Sequence, residues 1–185
     1  MEHFLLSGTT GAGKTTLIRE VILPYQNLVG GFVTLEKRGE DGRRQGFEML
    51  RLADGKRGVL ASKELSSPVK AGKYGINLDV LEEFGVKAVE EARRNPAIRL
   101  IIIDEIGVIE AQSANFRKLA VECLGDFSKS VLAAICANSR PFIRQIEEMP
   151  GVHLVTLKRA GYDKVKADLR AWLKETLSNS GEAIS

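Results

Sequence analysis

Cysteine is nearly missing from this chain of 185 residues, with only Cys123 and Cys136. The pair is too widely spaced for a thioredoxin or zinc motif, and each lies in an apolar pattern. Both read as buried free thiols, and no redox role follows. Long hydrophobic runs are also lacking. The longest, such as Leu100 to Ile103 and Val131 to Cys136, fall far short of the ~18 residues a membrane span needs. The opening Met1-Glu2-His3 does not resemble a signal peptide, so the expected location is cytoplasmic, with no membrane partner. Charge of one sign is scarce: 27 basic against 24 acidic residues leave +3, too little to indicate nucleic acid. Aromatics make up 6% and are not interleaved with basic residues. What remains is 44% hydrophobic and 28% charged, the composition of a folded soluble domain. Residues 1–177 are expected to form one domain and 178–185 a flexible Ser/Gly-containing tail. Eighteen glycines ask where backbone must approach something closely.

Strand-like and helix-like segments alternate along the chain. Phe4-Leu5-Leu6 forms a short run that stops at Gly8, and Leu17, Ile18, Val21 and Ile22 follow at helical spacing until Pro24. Gly30-Gly31 lead into a second strand, Phe32 to Leu35. Asp54-Gly55 between two apolar runs predicts an inserted β-hairpin. Residues 80–92 fit a helical face interrupted by Gly85 and stopped at Asn95-Pro96. Leu100 to Asp104 is continuous, β-branched and closed by an acid, the pattern of a central parallel strand covered on both faces. Ser113 can cap a helix through Cys123, Val131 to Cys136 is a buried strand, and Pro141 opens a short helix. Val152 to Leu157 is the last strand, and a helix from about Tyr162 to Leu177 closes the chain. The order predicts an α/β fold, a mostly parallel sheet with helices on both faces and the inserted hairpin.

Gly8-Thr9-Thr10-Gly11-Ala12-Gly13-Lys14-Thr15 matches G-x-x-x-x-G-K-[ST] at every fixed position. This Walker A loop lies between a strand and a helix, where backbone N–H groups can wrap an anion and the helix adds its positive end. Thr16 extends the expected nucleotide contacts. Lys14 would reach the β- and γ-phosphates, and the Thr15 hydroxyl would be a ligand of Mg²⁺. Asp104-Glu105 ends the most hydrophobic strand and supplies the Walker B acids, followed by Ile106-Gly107. Adjacent residues of a strand point to opposite sides, so different roles are expected: Asp104 for the metal, Glu105 for the attacking water. A solvated acid pair capping a turn is the alternative for the acids taken alone.

Two readings stand for Lys37-Arg38 and Arg43-Arg44: a solvated loop, or a source of positive charge at the transition state through Arg38 or Arg44. Glu36 either joins the polar shell around the water or pairs with Arg38. Tyr74 either stacks on a base or packs as an ordinary half-buried ring. Arg140, Arg144 and Arg159 are weaker candidates for an arginine finger.

Thr10 to Leu17, the segment Gly31-Phe32-Val33-Thr34-Leu35-Glu36 with Arg38, Gly42-Arg43-Arg44-Gln45-Gly46-Phe47, Lys73-Tyr74-Gly75-Ile76 and Asp104 to Glu110 together resemble the cancer-related nucleoside-triphosphatase family. The resemblance implies a RecA-like sheet with one strand between the P-loop strand and the Walker B strand. It also implies Mg²⁺-dependent hydrolysis of nucleoside triphosphates with loose base preference. Lys14 and Thr15 carry over as the Walker A pair, Asp104 as the metal acid and Glu105 as the water-activating base.

Hydrolysis of ATP, GTP, CTP and UTP is therefore the leading expectation, since the guanine-selective Asn/Thr-Lys-x-Asp signature is absent. Two alternatives are a nucleotide or small-molecule kinase, with the arginines gripping a phosphorylated acceptor, and a nucleotide-gated module that binds RNA or a protein. Oligomeric state is not legible. Any lid is expected from the loops at 37–46 and 66–75.

Overall fold

The computed structural model describes residues 2–137 and 141–178. The expectations for Arg140 and for the tail beyond Ser178 lie outside the described residues. Strand β1 (His3–Gly8) leads through the glycine loop into α1 (Lys14–Ile22), which gives way at Pro24 to a 3₁₀ segment, Leu23–Leu28. Then come β2 (Val29–Arg38), β3 (Arg44–Arg51), β4 (Arg57–Ser62) and the short strands β5 (Lys70–Ala71) and β6 (Tyr74–Ile76). A composite helix follows: α2 (Leu78–Val80), a π-helical turn over Leu81–Val86, and α3 (Lys87–Arg94). The interruption foreseen at Gly85 is this π turn, where the glycine faces the Met49 thioether. The chain ends with β7 (Leu100–Ile106), α4 (Ala114–Gly125), β8 (Ser130–Cys136), α5 (Pro141–Glu147), β9 (Val152–Thr156) and α6 (Tyr162–Ser178). Ser113 caps α4 as expected, its hydroxyl accepting from the Phe116 amide at 2.9 Å.

The nine strands form one sheet in the order β5-β6-β4-β3-β2-β7-β8-β1-β9. From β2 to β9 every pairing is parallel, and β8 lies between β1 and β7, the arrangement the family resemblance implies. From β5 to β2 every pairing is antiparallel. The expected hairpin, β3–β4 with its turn at Gly55, is thus the middle of a larger antiparallel extension. Alternation along the parallel strands sends side chains to two cores. Leu5, Phe32, Ile101 and Ile103 pack with α3 and α4, while Phe4, Leu6, Val33 and Ile102 pack with α1 and α6.

Strand β2 differs most from the expected Phe32 to Leu35. It begins earlier, at Val29, and its two glycines are inside the ladder, paired with Ile101 and Ile102. A Cβ on Gly30 would lie 2.8 Å from the Ala92 methyl, so helix α3 rests directly on the strand. At its other end β2 runs on to Arg38, although its pairing with β7 stops at Val33↔Asp104. Residues 34–38 therefore rise beyond the parallel layer as a wall beside the glycine loop.

Candidate nucleotide site

A cleft of ≈ 760 Å³ opens over the carboxyl ends of the parallel strands. One side is the Walker A loop and the start of α1, with Thr10, Gly11, Gly13, Lys14, Thr15 and Thr16 lining it. The opposite side is the risen part of β2 with β3, and the floor is the segment that follows β7.

Lys14 is 5% exposed, and its ammonium donates to the Gly8 carbonyl at 2.9 Å and the Thr9 carbonyl at 3.4 Å. The same Nζ stands 3.6 Å from Glu105 Oε2. Next in the chain, the Thr15 hydroxyl donates to Asp104 Oδ1 at 3.1 Å. Both Walker B acids thus meet the Walker A pair, whereas strict strand alternation places them on opposite sides. The correction has a local cause: between Ile103↔Ala133 and Ile106↔Ile135 the β7 side holds one residue more than β8, so alternation breaks at the acids. Ile106 then returns to the core, fully buried, and its side chain is not in the cleft. Gly8, Thr9 and Ala12 shape the loop from behind: Gly8 and Thr9 hold Lys14, and the Ala12 amide donates to the Thr9 carbonyl.

Burial raises the Asp104 carboxyl to about 7 against the hydrogen bond from Thr15. Its Oδ2 is buried and has no hydrogen-bond partner, an orphaned acceptor that a cation would satisfy. No group of three or more His, Cys, Asp or Glu side chains among the described residues could hold a metal. A metal here would need Thr15, Asp104 and oxygens from a phosphate, a hard-oxygen set that suits Mg²⁺. Burial also raises Glu105, with the nearby Lys14 ammonium opposing it.

Glu36, Arg38 and Arg44 all line the far wall. Glu36 accepts from Arg44 Nε and lies 2.9 Å from Arg38 Nη2, so both guanidiniums are gathered on one carboxylate. The Arg44 hydrogen bond holds the Glu36 carboxyl below its usual range. Arg44 also lies over the Phe47 ring, 5.5 Å from its centroid. Tyr74 is behind this wall, edge-on to Phe47 at 5.4 Å, and is not among the residues lining the cleft. Its packing on Phe47 matches the half-buried-ring alternative, and the antiparallel extension carries 70–76 to the sheet's far edge. None of residues 66–75, the other expected lid segment, lines the cleft. Arg43 faces Asp41 at 3.7 Å in the turn, and neither Arg144 nor Arg159 lines the cleft.

Arg19, Arg57 and Glu48 line the cleft as well, beyond the residues to which the motifs point, and Thr34 and Glu110 do so from within the family-like segments. Arg19 follows Thr15 by one helical turn and Thr34 precedes Glu36 by two in a strand, so periodicity contains both. Arg57 arrives through β4 pairing, which no local pattern encodes. Glu110 carries a signal only as the end of the Asp104 to Glu110 segment.

The family model for NTPase matches residues 3–169. This chain belongs to that NTPase family. Among curated members, the nucleoside-triphosphatase THEP1 of Thermotoga petrophila is 42% identical over 170 residues, covering 92% of each chain. THEP1 of Aquifex aeolicus is 31% identical over 175 residues, covering 92% of this chain and 98% of that one. The crystal structure of THEP1 from the hyperthermophile Aquifex aeolicus superposes with a TM-score of 0.83, covering 93% of this chain and 99% of that one. The solution structure of a human cancer-related nucleoside triphosphatase gives 0.74 at 27% identity, covering 95% and 98%. As an NTPase the protein is an enzyme of the P-loop class, and the resemblance carried by the sequence segments is the family to which it belongs. No helix among the described residues is long and apolar enough to cross a membrane.

Proposed function

We propose that the protein hydrolyses nucleoside 5′-triphosphates to the diphosphate and phosphate with Mg²⁺, with loose preference among ATP, GTP, CTP and UTP. The observation that carries this reading is the convergence of Lys14 and Glu105, 3.6 Å apart, in a cleft whose loop is built for phosphate. Loop amides and the α1 N-terminus bind the phosphate chain, and Lys14 places its charge against the β- and γ-oxygens. Thr15 and Asp104 would hold Mg²⁺, which when bound neutralises phosphate charge. Glu105 takes a proton from water as the water oxygen attacks the γ-phosphorus and the bond to the bridging oxygen breaks, releasing the diphosphate. Burial holds its carboxyl above the ordinary range, which strengthens it as a base. Arg38 and Arg44, oriented by Glu36, bring positive charge toward the developing charge on the γ-group.

The kinase alternative finds support in the same two arginines. Both are paired with Glu36 in either reading, so dependence of turnover on an added acceptor is what separates kinase from hydrolase. The RNA- or protein-binding module has no comparable support at a net charge of +3.

Phosphate release from the four nucleotides, with and without Mg²⁺, tests the reading beside Glu105→Gln. Release from all four, dependent on Mg²⁺ and lost in the variant with nucleotide binding retained, is expected. Turnover only with an added acceptor would replace hydrolase by kinase, and turnover of one nucleotide alone would overturn the broad preference.

A further inference from the structure

Glu110 has no part in the chemistry above, yet its side chain is inside the cleft and only 4% exposed. A Cβ built on Gly107 would lie 2.9 Å from Glu110 Oε2 and 3.2 Å from Glu105 Oε1. The two carboxyl groups therefore converge on the same side of this glycine, and any side chain at 107 would intrude on both. No cation pairs with Glu110 among the described residues, because the Lys14 ammonium stands on Glu105. Its carboxyl instead lies beside Gly107, whose amide, with its own, offsets part of the burial. The titratable groups facing it are Glu105 and Asp104 from β7 and Cys136 from β8. The rest of the turn is tied down: the Ala111 amide donates to the Gly107 carbonyl at 3.0 Å and Gln112 Nε2 to the Val108 carbonyl at 2.9 Å. A buried carboxyl without a cation is costly, and here the cost falls on the residue that closes the turn carrying the catalytic base.

We propose that Glu110 is a positioning residue for hydrolysis: it packs against Gly107 and forms the wall that sets the Glu105 carboxylate against Lys14 and the cleft. This rests on Glu105 being the water-activating base. A displaced base loses rate, not substrate affinity, since the phosphates are held by the loop.

The test uses the full chain with Mg²⁺ and ATP, measuring kcat, KM and affinity for a fluorescent ATP analogue across about pH 5.5–9.5. Glu110→Ala should lower kcat by about 10- to 100-fold with KM and affinity within about twofold of the parent. Glu110→Gln, whose carbonyl can still face the Gly107 amide, should recover kcat to within about fivefold. In a Glu105→Gln background, Glu110→Ala should cost nothing further. An Ala variant with parental kcat, a parallel loss of affinity, a Gln variant as slow as Ala, or a full extra loss in the double variant would each overturn the proposal. If Ala abolishes cooperative unfolding, the Gln variant's kcat and KM decide alone. Parental turnover by Glu105→Gln itself would instead sink the base assignment, which separates the two failures.

Discussion

Lys14 satisfies two carbonyls of its own loop and faces Glu105 with one ammonium. Removing it should have two consequences of different kind. Lys14→Ala should weaken triphosphate binding by about 2–5 kcal/mol, measured by titration calorimetry; unchanged affinity would count directly against the loop as the phosphate site. The same change strips Glu105 of the charge opposing its burial, so its carboxyl should rise further. Glu110 supplies a second prediction, on stability. Its carboxyl stands at about 8 in the fold against 4.5 for the free side chain. Stability linked to it is complete below about 4.5 and declines as pH rises toward 8, because the unfolded chain ionises first. Glu110→Gln has no such ionisation. It should match the parent near pH 4.5 and exceed it by about 2–4 kcal/mol near pH 8 in calorimetric unfolding; equal stability at both ends would show Glu110 ionised in the fold.

Among the elements, β2 bears most on the site, because its tail builds the wall and its start is pinned to β7. Gly31 has φ +106° and an added Cβ would meet the Ile102 carbonyl oxygen at 2.1 Å. Gly31→Ala should therefore cost about 3 kcal/mol or more, whereas Gly42→Ala, at φ +72° with nothing within 4 Å, should cost about 1–2 kcal/mol. Urea midpoints compare the two, and equal costs would mean that β2 and β7 can part without penalty. The same strand shows where sequence reading succeeds and where it stops. The glycine loop, α1 and the β7 acids are legible because motif spacing and apolar periodicity are local. The entry of Gly30 and Gly31 into β2 is not, since glycine reads as a breaker until Ala92 and Ile102 are known to press against it. Lys70–Ala71 and Tyr74–Ile76 escape for a related reason: strands of two and three residues have no periodicity to display. Arg57 reaches the cleft only through long-range pairing with β3.

At the scale of the molecule, the sheet divides the labour between its halves. The parallel half, covered by helices on both faces, holds the phosphate loop and the acids; the antiparallel half raises Glu36, Arg38 and Arg44 opposite them. A ligand that binds the folded protein and not the unfolded chain stabilises the fold by mass action. With Mg²⁺ and a nonhydrolysable ATP analogue at about 100 times its dissociation constant, the gain should be about 2.7 kcal/mol, or about 5–10 °C in Tm for a chain of this size. The buried, unpartnered Asp104 Oδ2 makes the metal part of that gain. Analogue without Mg²⁺ should therefore give a clearly smaller shift, and Asp104→Asn should narrow the difference that Mg²⁺ makes. Equal shifts with and without the metal in the parent protein would remove Thr15 and Asp104 as its ligands, and a shift retained in full by Lys14→Ala would place the nucleotide elsewhere than the cleft.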